Sequence, residues 1–187
     1  MYGVINMAKN KAFLLIGSED AGKTETIRGW CNLKGYELGR GFNSFVTKIK
    51  DKKELIIISS CSPQEASKYN LDKIKRLLSK RIRDYKQKTK DKGFERFIWV
   101  MAITVGKGYG KLKKEEVTEA IKLLEEKDFD LIKIHIIREK EDRGAIFTEI
   151  NKFIEGLTKQ PIKTKEKDQR EQAEELDKII VNSVKKG

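Results

Sequence analysis

Short apolar runs and longer amphipathic segments alternate along the chain, with polar breakers between them. The apolar runs are rich in β-branched and aromatic residues, which is typical of buried strands. They predict strands at residues 12–16, 42–50, 54–59, 94–105 and 130–139. The amphipathic segments carry apolar residues at helical spacing. They predict helices at residues 23–35, 70–92, 113–127 and 145–156.

The order of these elements predicts an α/β fold. Residues 42–50 and 54–59 are joined by the short polar link DKK, which indicates an antiparallel hairpin. Elsewhere strands alternate with helices, and this pattern gives a mostly parallel sheet with helices on both faces. We therefore predict a three-layer α/β/α sandwich in which the hairpin adds an antiparallel strand at one edge.

The chain is predicted to consist of two parts. Residues 8–157 hold the alternating strands and helices and are predicted to form one domain. Residues 158–187 are predicted to form a mobile linker and then an amphipathic helix, whose apolar face carries Ala173, Leu176, Ile180 and Val184. Such a helix either caps the domain or pairs with a second copy or another protein.

Charge is the strongest compositional signal. Lys and Arg total 41 against 29 acids, a formal net charge of +12, which favours anionic partners such as nucleotides or nucleic acid. The abundance of Lys and Glu is typical of hyperthermophile proteins. No apolar run is long enough to span a membrane, and the start MYGVINMAKNK lacks a signal-peptide core. We expect a cytoplasmic protein, with Met7 as an alternative start to Met1.

Residues 17–24 fit the pattern G-x-x-x-x-G-K-[ST] between a predicted strand and a predicted helix. In this pattern the glycines let backbone N–H groups converge on phosphate oxygens, the lysine charge faces the outer phosphates, and the hydroxyl binds Mg²⁺. The following helix adds its positive end. The predicted nucleotide-binding residues are Gly17, Ser18, Glu19, Asp20, Ala21, Gly22, Lys23, Thr24 and Glu25.

With this loop, the chain resembles the P-loop NTPases, and its element order is similar to that of the GTPase-type branch. The resemblance implies a P-loop NTPase fold over residues 8–157, which would bind Mg²⁺ together with GTP or ATP. It also implies that Lys23 is a catalytic residue. The stretch IIISSCSPQE stands where that branch has D-x-x-G-Q/E. Aligning it makes Ser60 a magnesium-shell residue and Gln64 the residue that positions the attacking water. Ser60 replaces an acid and Pro63 lacks an N–H, so hydrolysis is expected to be slow.

A second resemblance follows the strand at 130–139. GTPases recognise guanine there with N-K-x-D, and this chain has Glu139-Lys140-Glu141-Asp142. Immunity-associated GTPases are similar in carrying a divergent motif at this place. The resemblance implies that Lys140 packs on the base and that Asp142 accepts hydrogen bonds from guanine. A solvated surface loop is the alternative interpretation.

Several further features leave alternatives open. In the GTPase-type branch a hydroxyl before the hairpin senses magnesium, and Ser44 and Thr47 are the candidates. A small-molecule or nucleotide kinase would use the same P-loop, with Arg138 and Arg143 as lid arginines. The basic helix 70–92 predicts either a nucleic-acid contact, as in a nucleic-acid-associated ATPase, or an ordinary solvated face. His135, in the apolar run IKIHII, is interpreted as a core histidine.

Overall fold

The computed structural model describes residues 9–18, 21–38, 42–49, 52–59, 70–105, 114–138, 145–158, 161–164 and 168–185. Within these residues six strands and five helices follow one another along the chain. They are β1 (Asn10–Gly17), α1 (Lys23–Leu33), β2 (Phe42–Ile49), β3 (Lys52–Ser59), α2 (Leu71–Asp91), β4 (Phe97–Thr104), α3 (Lys114–Glu126), β5 (Phe129–Arg138), α4 (Ala145–Leu157), β6 (Pro161–Thr164) and α5 (Gln169–Lys185).

The six strands form one sheet in the order β2-β3-β4-β1-β5-β6. β2 and β3 pair antiparallel, and the other neighbours pair parallel. The predicted α/β class, the mostly parallel sheet and the antiparallel edge hairpin are therefore confirmed. β1 lies near the middle of the sheet, between β4 and β5, so the loop that follows it opens at the carboxyl edge of the parallel strands.

Helices cover both faces of the sheet. Alternate residues of β1 belong to two separate apolar clusters: Leu14 and Ile16 pack with α2, α3 and α4, whereas Phe13 and Leu15 pack with α1 and α5. β1 is buried from Lys11 to Gly17, since each face meets a helix layer. This burial on both faces explains why the strand reads as a continuous apolar run rather than an alternating one.

The C-terminal part of the chain differs from the prediction. Pro161–Thr164, predicted to lie in a mobile linker, instead form strand β6, which pairs parallel with the end of β5. Only four residues pair, and only Ile162 among them is buried and apolar, so the sequence carries little strand signal. The leading proline is tolerated because β6 is an edge strand.

Helix α5 packs on the core beside α1. The predicted apolar face is confirmed, since Ala173, Leu176, Ile180 and Val184 are buried in the cluster that also contains Trp30 of α1. Of the two roles left open by the sequence, the structure shows the capping role. The apolar face that a partner would need is used within the chain.

His135 of β5 is a buried histidine, as predicted, with 2% of its surface exposed. Burial lowers the pKa of its imidazole below the ordinary value, while a hydrogen bond with Asn151 and the charge of Glu155 partly oppose this shift. The folded chain therefore resists protonation at His135 more than the unfolded chain does. Its contribution to stability is complete above the unfolded pKa of about 6.5 and is lost as the pH falls through the folded pKa.

We expect the melting temperature to fall as the pH is lowered from 7.5 to 5.5, and we expect a shallower fall in His135→Gln. The glutamine is neutral throughout this range and keeps a polar group that can bond to Asn151. Thermal unfolding at constant ionic strength measures both slopes. Parallel curves for the two proteins would show that His135 does not cause the pH dependence.

Candidate functional site

The predicted phosphate loop lies at the carboxyl edge of the sheet, where β1 ends between two parallel neighbours. Gly17 is level with Thr104 of β4, and the N–H of Val105 donates to Gly17 O at 2.9 Å. On the other side, Ile16 is level with His135 of β5. The start of the loop is therefore held by backbone contacts to both neighbouring strands.

Gly17 fits only as a glycine. A Cβ at this position would lie 2.8 Å from the carbonyl oxygen of Ile136 and 3.0 Å from the Cβ of Ala21. The first contact is with the backbone of β5, which cannot rotate away as a side chain can. The chain needs this glycine so that the loop can turn back over the end of the sheet.

Gly22 ends the loop and begins α1. Its backbone is in the left-handed region, with φ 91° and ψ 12°, which glycine adopts without the strain that a Cβ would cause. Its carbonyl accepts the first helical hydrogen bond, from the N–H of Thr26 at 2.9 Å. The N-terminus of α1, with the positive end of its dipole, therefore adjoins the loop, as an anion site requires.

Lys23 extends back into the loop and is buried there, with 6% of its surface exposed. Its Nζ donates to Ser18 O at 2.5 Å and lies 3.3 Å from Gly17 O. The structure thus places a buried ammonium group inside the curl of the loop, at the positive end of α1. A buried positive charge of this kind attracts an anion more strongly than an exposed one, because solvent screens it less.

The remaining loop residues predicted to bind nucleotide take different positions. Ser18 and Ala21 are buried, and Thr24 is partly exposed on the first turn of α1. Glu25 on the same turn is exposed to solvent. Glu19 and Asp20 lie outside the described residues.

The strand that leads to the predicted magnesium-shell and water-positioning residues does not pair with β1. Ser60 and Gln64 lie outside the described residues, but β3, which leads to them, is separated from β1 by β4. Ser59 is level with Met101, and Met101 is level with Leu14, three residues before Gly17. Two strand spacings and three residues of rise put Ser59 roughly 14 Å from Gly17. Any contact between the predicted residues and the loop at 17–24 would have to span this distance from Ser59.

The predicted base-recognition residues follow a strand that is well placed. Lys140 and Asp142 lie outside the described residues, yet β5 runs beside β1 and ends at Arg138. β5 therefore ends at the same edge of the sheet as β1. The role of Lys140 and Asp142 as guanine contacts stays a prediction.

Thr47 is not where a magnesium-sensing hydroxyl would have to be. It lies on the edge strand β2 opposite Glu54, at the amino end of β3, which is the end of the sheet away from the loop. Its side chain bonds to Tyr36, whose pKa is raised by burial and partly lowered by this bond. Of the two candidate hydroxyls, Thr47 is therefore disfavoured, because the antiparallel strand carries it to the end of the sheet away from the loop at residues 17–24. Ser44 is level with Ile57, and its side chain is outside what the structure describes.

Contacts from α5 to α1 were not predicted from the sequence. Thr26 Oγ1 donates to Gly22 O at 2.9 Å and lies 3.1 Å from Gln172 Oε1. Asp177 accepts from Trp30 Nε1 at 3.0 Å and pairs with Lys34 at 2.6 Å. These bonds hold the C-terminal helix against the helix that begins at the loop. In the sequence, Gln172 stands beside Ala173 of the apolar face, and nothing there indicates its contact with Thr26.

Close packing of α1 and α5 also depends on a glycine. A Cβ at Gly29 would lie 3.0 Å from Gln169 O and 3.3 Å from the Cβ of Ala173. The small residues let the two backbones approach, which brings Gln172 within reach of Thr26. In the sequence, nothing distinguishes Gly29 from any other glycine in a helix.

Thr104 is a second residue that sequence analysis missed. It is fully buried, it ends the apolar strand β4, and it is level with Gly17. A polar residue at the end of an otherwise apolar strand was the available signal. Thr104 therefore places a hydroxyl group on β4 level with the start of the loop.

The arrangement is suited to binding an anion rather than to fast acid–base chemistry. The described residues that end β1, β3 and β4 are Gly17, Ser59 and Thr104, and none of them is an acid. Among the described residues no group of three or more His, Cys, Asp or Glu side chains is placed to hold a metal ion. Cys31 of α1 is buried in the apolar cluster, and burial raises the pKa of its thiol to about 12, so it is a packing residue.

None of the helices in the described part of the chain combines the length and apolar character needed to span a bilayer. No protein-family model matches the chain, and no curated protein or solved structure matches it significantly. What the chain does must therefore be inferred from the backbone and side chains of the loop and its surroundings.

Proposed function

We propose that the chain binds a nucleoside triphosphate with Mg²⁺ at the loop formed by residues 17–24. One observation carries this proposal: the Lys23 ammonium is buried inside the loop, against the carbonyl oxygens of Ser18 and Gly17, at the N-terminus of α1. The two carbonyl oxygens accept hydrogen bonds from the ammonium group but do not neutralise its charge, which adds to the positive end of the α1 dipole and favours an anion at the loop.

The residues present fit a magnesium-bound triphosphate. Gly17 and Gly22 shape the loop, Lys23 provides the charge, and Thr24 on the first turn of α1 provides a hydroxyl as a magnesium ligand. Phosphate oxygens and water would supply most of the remaining magnesium ligands. Bound Mg²⁺ would neutralise charge that develops on the phosphates during transfer.

We infer that the chain hydrolyses the nucleotide slowly, or that it acts as a regulatory module through nucleotide binding alone. The described strand ends next to the loop carry no acid to activate water. β4 separates β1 from the strand that leads to Ser60 and Gln64, so the GTPase-type arrangement contributes less to the proposal than the loop does. A nucleotide-dependent regulatory module is consistent with this chemistry.

A base-selectivity experiment tests the proposal and the roles of residues 140 and 142 together. In the presence of Mg²⁺ we expect fluorescent GTP to bind more tightly than fluorescent ATP. We expect Asp142→Ala to lower the affinity for GTP by about tenfold or more, because it removes hydrogen bonds from the base to a carboxylate. The affinity for ATP should not change. Glu141→Ala is the matched control and should behave as the parent.

Three results separate the possibilities. Equal binding of GTP and ATP, unchanged in Asp142→Ala, would contradict guanine recognition and leave the triphosphate site in place. A preference for ATP would favour an ATPase or kinase. Failure of both nucleotides to bind would contradict the proposed function.

A further inference from the structure

A basic groove lies at the other end of the molecule from the phosphate loop. It is an open concavity of about 440 Å³ lined by Arg83, Lys86 and Lys90 of α2 and by Lys127 after α3, with Ile82 among its apolar lining. The C-terminal half of α2 and the end of α3 precede β4 and β5, so the groove adjoins the amino ends of these strands. We call it the α2–α3 groove.

The cations of the groove are available to a partner. Within the described part of the chain, no ion pair involves Lys86, Lys90 or Lys127. Arg83 reaches only its neighbour Asp84, at 3.8 Å, with both side chains largely exposed. Exposed pairs of this kind contribute little to stability, so an external anion can replace the carboxylate.

Two carboxylates close to the groove in the sequence have partners within the described chain. Asp128, next to Lys127, pairs with Lys9 at 2.8 Å. Asp91 accepts from the side-chain nitrogen of Gln87 at 2.7 Å. The four cations of the groove therefore face solvent without acids of the described chain among its lining residues. This concentration of one sign of charge in a concave site produces a local positive potential.

We propose that the α2–α3 groove binds the phosphate backbone of a double-stranded nucleic acid without reading its base sequence. Arg83, Lys86 and Lys90 recur at about one per helical turn, over roughly 10 Å of α2. A row of cations along one helix face can contact several phosphates of one duplex, which carries a dense line of negative charge. The net charge of +12 adds long-range attraction to any polyanion.

The lining residues argue against the other anionic partners. None of the described residues that line the groove is aromatic, so they do not form the stacking platform that single-strand binders use. The exposed large apolar residues of the described chain, Leu33 and Val46, lie on α1 and β2, so the groove offers nothing to insert into a membrane.

Two variants with equal loss of charge test the proposal. Lys86→Gln, Lys90→Gln and Lys127→Gln together remove the groove lysines, and Lys73→Gln, Lys80→Gln and Lys122→Gln remove three exposed lysines of the same two helices outside it. Fluorescence anisotropy with a labelled 20-base-pair DNA or RNA duplex, at 50 to 200 mM salt, measures affinity and its salt dependence.

We expect the groove variant to bind either duplex at least about 30-fold more weakly than the parent at 50 mM salt. The slope of log K against log salt concentration should also become shallower, by about 0.9 for each phosphate that the variant no longer neutralises. The control variant should keep the parent slope to within about 0.9, the equivalent of one phosphate. Lys23→Ala should bind the duplex as the parent does, since its site is at the opposite edge. Equal weakening in both variants, no duplex binding at 50 mM salt, or tighter binding of a single strand, polyglutamate or anionic vesicles would overturn the proposal.

Discussion

Replacing Lys23 with alanine is expected to weaken binding of a magnesium-bound nucleoside triphosphate by about 30-fold to several thousand-fold. Truncating one partner of a buried, hydrogen-bonded charge pair costs about 2–5 kcal/mol, and each 1.4 kcal/mol is tenfold in affinity. The Lys23 ammonium is already buried inside the loop before any anion binds, against Ser18 O and Gly17 O. The substitution therefore removes both the charge and a brace of the loop backbone.

Arg28→Ala is the matched control for this prediction. Arg28 is exposed on the same helix, so its removal changes the net charge equally without opening the loop. Affinities from a fluorescent-nucleotide titration should fall for Lys23→Ala and stay within about threefold of the parent for Arg28→Ala. An equal, small loss in both variants would show that only net charge attracts the nucleotide.

Replacing Gly17 with alanine is expected to damage stability and nucleotide binding together. The added Cβ would lie 2.8 Å from Ile136 O, so the end of β1 must move away from β5. Overpacking of this kind costs about 1–3 kcal/mol, and the displaced loop N–H groups no longer converge on one point. We expect a melting temperature lower by several degrees and nucleotide binding reduced by about tenfold or more.

The same chemical change at Gly156 is the control. Gly156 lies in helix α4, and a Cβ there would meet nothing within 4 Å. Alanine at an exposed helical position should leave stability unchanged or raise it by up to about 1 kcal/mol. Thermal unfolding and nucleotide titration of both variants measure the contrast. Equal stability of Gly17→Ala and the parent would mean that the contact with Ile136 relaxes freely.

The sequence predicted the parts of the fold that are encoded locally. A continuous apolar run marks β1 because both of its faces are buried, and Gly17, Gly22 and Lys23 mark the loop because its backbone and charge requirements allow few other residues. Buried residues on α5 recur at helical spacing, so its packed face was also predictable.

What the sequence could not provide is the arrangement of elements distant along the chain. The placement of β4 between β1 and β3 depends on tertiary packing, and it determines how far Ser60 and Gln64 start from the loop. The antiparallel direction of β2 carries Thr47 to the wrong end of the sheet. The contact of Gln172 with Thr26 joins residues 146 positions apart, and no local pattern reports it.

Isothermal calorimetry of the parent chain and of Lys23→Ala with Mg²⁺–GTP and Mg²⁺–ATP tests whether residues 17–24 bind a nucleotide. We expect saturable binding of at least one nucleotide to the parent, and a loss of affinity of about 30-fold or more in a Lys23→Ala variant that remains folded. Absence of binding to the parent, or equal binding by the two proteins, would contradict the claim that residues 17–24 form a working nucleotide site.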